Sequence, residues 1–202
     1  MPIFQFGDIL FQDIGCGAVC DAINGVTPGF KNAEVNHCGI VFSRDGEWHV
    51  LEAISPKVRS TNLESFLNRT LDQQGRPRIM VGRVSPPLSH LIPDAVNFCL
   101  GRVGIQYDPL YYPDDKGFYC SELIVDSFTF ANANQPVFPE YPMSFRDPVT
   151  GEILEFWKKY YAYFNVPVPD GVPGSNPGRL SLDPNIEIIA QLGDLRGSPL
   201  QT

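Results

Sequence analysis

The sequence predicts a single domain of mixed α and β structure, and three observations carry the prediction. Two apolar runs, residues 37–43 and 48–54, are separated by Arg44-Asp45-Gly46-Glu47, and an Asp-Gly pair between such runs is a strong short-range signal for a β-hairpin. Residues 93–102, 120–131 and 151–163 instead space their apolar side chains as helices do. The chain has 202 residues, 43% of them hydrophobic and 12% aromatic, which is enough for one sizeable core.

Each element has its own local reason. Gly7-Asp8-Ile9-Leu10-Phe11-Gln12 reads as a turn entering a short strand, and residues 18–23 as a short helix. Residues 24–36, with Gly25, Pro28 and Gly29, form a loop before the hairpin. Thr61-Asn62-Leu63-Glu64 has the capping-box pattern, so a helix over 62–69 is expected to turn Leu63, Phe66 and Leu67 inward. Residues 79–84 read as a strand that Pro86-Pro87 ends. Pro93 suits the first turn of the next helix, whose stripe is Ala95, Val96, Cys99, Leu100 and Val103; His90 lies just outside it as a solvated loop residue.

Beyond Asn165 the composition shifts to Pro and Gly. Residues 165–202 are therefore expected to wrap the surface of the domain with little regular structure, apart from a late strand or short helix over 186–192. No internal repeat and no glycine-rich phosphate loop occurs in the sequence.

Charge narrows the function. The net charge is −8 and none of the 15 basic residues forms a run, which argues against nucleic acid and acidic membranes as partners. No apolar stretch is long enough to span a bilayer, and Met1-Pro2-Ile3-Phe4-Gln5-Phe6 lacks the basic start and long apolar run of a signal peptide; an exported form would need a leader. Five cysteines are too sparse for a disulfide scaffold. Cys16 and Cys20 stand four apart, followed later by His37-Cys38, but paired zinc-ligand spacing is missing, so packing or a local disulfide is expected there rather than metal.

Chemistry centres on Cys120, placed where a loop rich in Asp, Pro and Tyr meets the helix that continues through Leu123, Ile124 and Phe128. The unpaired N–H groups at a helix start favour a thiolate over a thiol. A thiol nucleophile needs a base and a group to orient that base. Among three histidines, His37 opens the first hairpin strand, a rigid element suited to holding a base.

The series Gly7-Asp8-Ile9-Leu10-Phe11, His37-Cys38-Gly39-Ile40-Val41, Leu51-Glu52-Ala53, Gly104-Ile105-Gln106-Tyr107-Asp108 and Tyr119-Cys120-Ser121-Glu122-Leu123 resembles the motifs of the YiiX/YebB-like cysteine peptidases. These are circularly permuted papain-like amidases related to NlpC-type cell-wall peptidases and to lecithin–retinol acyltransferases. The resemblance implies an α+β fold in which a small antiparallel sheet or half-barrel carrying His37 and Glu52 packs on the helix of Cys120. It implies Cys120 as nucleophile, His37 as general base and then acid, and Glu52 as the group orienting the imidazole. Tyr107, Tyr119 and Ser121 are candidates for the pocket wall. The Cys120 N–H is a candidate oxyanion donor.

A peptide or muropeptide is the substrate this implies, with no metal or cofactor needed. An acyltransferase or lipid hydrolase using the same Cys and His is the alternative, although Tyr119 stands where that branch has Asn before Cys. A non-catalytic binding module is a third, against which the joint presence of Cys120, His37 and Glu52 weighs. Oligomeric state and compartment stay open, the cell envelope included.

His49 and Glu52 compete to orient His37. If Asp45-Gly46 closes the hairpin, facing residues sum to 91, which puts Glu52 on the face of His37 and turns His49 to the other face with Phe42. An odd loop or a bulge would reverse this.

Overall fold

The predicted hairpin forms the middle of a six-stranded antiparallel sheet. In the computed structural model, which describes residues 4–113 and 116–198, its strands are β1 (Ile9–Gln12), β2 (His37–Arg44), β3 (Glu47–Ile54), β4 (Lys57–Asn62), β5 (Ile79–Val84) and β8 (Ile186–Gln191). They lie in the order β4-β3-β2-β1-β5-β8. A separate pair joins β6 (Tyr141–Pro142) to β7 (Pro173–Gly174). The helices are α1 (Ala18–Val26), α2 (Leu63–Leu67), α3 (Ile92–Leu100), α4 (Cys120–Ala131), α5 (Glu155–Tyr163) and α6 (Pro177–Leu180). The expected α+β class is found.

Alternation along the strands sorts the core into two layers. Cys38, Ile40, Phe42, Leu51 and Ala53 pack with Val96 and Cys99 of α3 and with Leu123, Ile124 and Phe128 of α4. Leu10, Val41 and Val50 face the other way, onto Leu63 and Phe66 of α2. Each such buried side chain contributes roughly 1.5–3 kcal/mol, so Phe66 suffices to seat a helix of little more than one turn. A third cluster, built on Ala22, Phe145, Trp157 and Tyr161, joins α1 to α5 beside the sheet.

One strand was not expected, and three expectations need correction. Strand β4, with Val58 its one large apolar residue, has no alternating pattern to announce it; it is a polar edge strand, the usual composition of an edge. The cap of α2 is Asn62, whose Oδ1 accepts from the N–H groups of Glu64 and Ser65, while the Thr61 hydroxyl is engaged elsewhere. α5 begins at Glu155 and not at 151, because Asp147 Oδ1 accepts from Val149 and Thr150 and ties the preceding residues into a turn that ends on Gly151 at φ 72°. The segment after Asn165 supplies the expected late strand as β8, and it is more regular than its composition indicates in also supplying β7 and α6. His90 is exposed in a 3₁₀ turn, as expected. The reading of residues 1–3, and Asp114 and Asp115 of the loop before α4, lie outside the described residues.

Candidate active site

Asp45 and Gly46 close the hairpin at φ 53° and 84°, the left-handed values of a type I′ turn. Ile40 therefore pairs with Leu51, Phe42 with His49 and Arg44 with Glu47, the register that sums to 91. By alternation His37 and Glu52 belong to the α2 face with Val41 and Val50, and His49 turns to the other face, its ring 5.7 Å from Phe42 and its Nδ1 3.3 Å from Ser60 Oγ.

Glu52 is wholly buried, and five hydrogen bonds hold it. Its Oε2 lies 2.6 Å from His37 Nε2 and accepts from Arg69 Nη1 at 2.9 Å. Its Oε1 accepts from Thr61 Oγ1 and Arg69 Nη2, both at 2.6 Å, and from Arg59 Nε at 3.2 Å. Burial alone would raise the Glu52 pKa, but the His37 hydrogen bond and charge, followed by those of Arg69, drive it well below the ordinary carboxylate range.

The start of β2 meets the start of α4. Cys120 is the first residue of α4, with Sγ 4.0 Å from the Asn36 carbonyl oxygen and with the side chains of Cys38 and His37 beside it. Since Nε2 of His37 is taken by Glu52, Nδ1 is the ring nitrogen left for the thiol. Burial opposes a charged imidazole, but the bonds to Cys120 and Glu52 outweigh it and raise the His37 pKa to about 9. The Cys38 hydrogen bond, against burial and with help from His37, lowers the Cys120 pKa well below that of a free thiol. Both shifts favour the thiolate–imidazolium form of the pair.

Cys120 opens onto a pocket. Ile23 and Val26 of α1, Tyr107, Tyr111, Tyr119, Met143, Phe145 and Trp157 line it, with Thr27, Asn36, Ser121, Ser144, Ser175 and Asn176 among its polar groups. Among the described residues no Asp, Glu, Lys or Arg lines it. Tyr111 takes the left-handed φ of 56°, in a turn whose Leu110 and Tyr112 N–H groups donate to the Asp108 carboxylate; its ring meets Tyr119 edge-on at 5.4 Å. Tyr119 and Ser121 also dock the C-terminal segment: Tyr119 Oη accepts from Ser175 N at 3.1 Å and Ser175 Oγ donates to Ser121 Oγ at 3.0 Å.

Cys120, His37 and Glu52 are thus brought into contact, and Tyr107, Tyr119 and Ser121 all reach the pocket. Arg69, Arg59, Thr61, Cys38, Tyr111 and Ser175 escaped the sequence analysis. Cys38 had a findable signal, because it follows His37 and alternation turns it toward α4; Arg69, beyond the end of a short helix, had none. Cys16 and Cys20 form a disulfide at the start of α1, one of the two arrangements expected of them.

A cysteine at a helix start beside an imidazole on a strand, met along the chain in the order His, Glu, Cys, is the arrangement expected of a cysteine hydrolase of permuted papain-like architecture. The chain matches the family model described as permuted papain-like amidase enzyme, YaeF/YiiX, C92 family, over residues 4–189, and it belongs to that family. A crystal structure described as that of the metalloprotein YiiX from Escherichia coli O157:H7 is similar in fold, with a TM-score of 0.73 at 22% identity over 93% of this chain and 97% of that one. Comparison with curated proteins finds no match. Among the described residues of this chain, no three His, Cys, Asp or Glu side chains are gathered so as to hold a metal ion.

Proposed function

We propose that Cys120, His37 and Glu52 are the nucleophile, the acid–base and the orienting carboxylate of this cysteine amidase, and that the acyl side of its substrate is apolar. The buried contact of His37 with both Cys120 and Glu52 supports the catalytic assignment. Because the thiol is already ionised, His37 acts first as an acid. Cys120 Sγ attacks the carbonyl carbon, the C–N bond breaks, and the amine leaves with the His37 proton, which leaves a thioester. Neutral His37 then takes a proton from water, hydroxide attacks the thioester, and the carboxylic acid departs as the thiolate is restored. The Cys120 N–H, at the first position of α4, is placed to donate to the oxyanion.

The pocket lining carries the choice of substrate. Aromatic faces and aliphatic groups reward burial of apolar surface, and the described lining has no charged group to receive the carboxylates and amines of a cell-wall peptide. A lipid-derived amide or ester fits best. Cell-wall peptides stand as the second reading, favoured by Asn36, Ser144, Ser175 and Asn176, which are able to bind backbone amides. Incubation with N-decanoyl amides and, separately, with muropeptides, followed by mass detection of products, decides between them. Release of decanoate is expected; cleavage of muropeptides alone overturns the acyl assignment, and cleavage that persists in Cys120→Ala overturns the mechanism.

A further inference from the structure

Arg69 lies just past α2 and reaches Glu52 with both arms of its guanidinium, Nη1 to Oε2 at 2.9 Å and Nη2 to Oε1 at 2.6 Å. The planar fork matches the carboxylate plane and fixes it, so that Oε2 points at His37. The guanidinium lies 4.9 Å over the Phe66 ring, and that ring is 5.9 Å from His37. Gln12, which faces His37 across the β1–β2 ladder, accepts from Arg69 Nη1 at 3.2 Å and donates to the Phe66 carbonyl at 2.9 Å. Glu52, Phe66, Gln12 and Arg69 thereby enclose His37 on the side away from Cys120.

We propose that Arg69 is a positioning residue that acts through Glu52: paired with the carboxylate on the side away from His37, it cancels part of the negative charge that the imidazole feels. The proposal rests on the catalytic reading of Cys120, His37 and Glu52. The charged or titratable groups packed around His37 are Glu52 on β3, Arg59 on β4, Arg69 after α2, Cys120 on α4 and Cys38 on β2, with Tyr107 and Tyr111 beyond Cys120. Asp13, next to Gln12, is neutralised by Arg78 and Arg196. Arg59 is 41% exposed and meets one oxygen, whereas Arg69 is 19% exposed and meets both. Arg69 is therefore the cation that most offsets Glu52. A positive charge on the far side of the carboxylate disfavours the imidazolium, and the bare carboxylate favours it, so the two residues pull His37 in opposite directions.

A purely structural Arg69 does not produce that opposition. The His37 ring is titrated by NMR in the wild-type protein and in Arg69→Met, Arg69→Gln, Arg69→Lys and Glu52→Gln. The Met and Gln variants are expected to raise the His37 pKa by about half a unit or more, and Glu52→Gln to lower it by about one unit or more. Arg69→Lys, which keeps the charge, should stay within about 0.3 units of wild type. Arg69→Gln keeps a hydrogen-bond donor, so it serves where Arg69→Met does not fold. No shift in the neutral variants, a downward shift, or a Lys variant that behaves as Met overturns the proposal. Alkylation of wild-type Cys120 by iodoacetamide at pH 6 is the separate control: if it is no faster than that of an ordinary thiol, the catalytic reading itself fails.

Discussion

Cys38 on β2 and Cys120 at the start of α4 share one cluster of the core, yet their surroundings drive the two thiols in opposite directions. Burial pushes Cys38 well above the usual thiol range, so it keeps its proton and donates to Cys120. The accepted hydrogen bond and His37 hold Cys120 well below that range. Burial likewise pushes Cys99 up, to about 12. Limiting iodoacetamide at neutral pH is therefore expected to label Cys120 through its pocket and to spare Cys38 and Cys99. Peptide mapping checks this, and faster labelling of Cys38 or Cys99 contradicts it.

Substitution of the proposed nucleophile separates chemistry from folding. Cys120→Ala removes one sulfur atom at the first turn of α4, where the remaining anchors Leu123, Ile124 and Phe128 are fully buried. A loss of about 1 kcal/mol is expected, visible as a small fall in Tm, together with complete loss of turnover.

The orienting role proposed for Glu52 is tested by a pair of variants. Glu52→Gln keeps the size of the side chain but weakens its hold on the imidazolium, and kcat is expected to fall at least about tenfold. His49→Ala should leave kcat nearly unchanged, because His49 lies on the opposite face from His37, beside Phe42. Glu52→Ala goes further: it strands Arg69 and Thr61 without their acceptor, and a stability loss of about 3–5 kcal/mol is expected in urea denaturation. A larger kcat effect from His49→Ala than from Glu52→Gln would refute the assignment.

Protonation sets the pH range of activity. In the proposed mechanism His37 must carry its proton to release the amine, and its pKa is raised to about 9 by Cys120 and Glu52 in spite of burial. Cys120 must be ionised, and its pKa is lowered. The acylation rate is expected to be level across neutral pH, to fall on the alkaline side as His37 deprotonates near 9, and to fall on the acid side only below the usual thiol range. Single-turnover rates with an N-decanoyl amide measure this, and a rise in rate between pH 7 and 9, typical of an unactivated thiol, is the contrary result.

Much of this arrangement can be derived from sequence alone because its determinants are local. Asp45 and Gly46 dictate a two-residue turn, the turn sets the register, and the period-two geometry of the strands then puts Glu52 on the face of His37. The place of Cys120 at a helix start likewise follows from a few consecutive residues. Other parts of the site join residues far apart in the chain that leave no periodic trace. Arg69 meets Glu52 across 17 positions and Ser175 meets Ser121 across 54, and neither contact is implied by the segments that carry them. Strand β4 gains its place by pairing with β3, and β8 by pairing with β5. Only the tertiary structure decided those pairings, the partners that keep the buried Glu52 charged, and the placing of Cys38 against Cys120, because burial and long-range hydrogen bonds exist only once the chain has closed on itself.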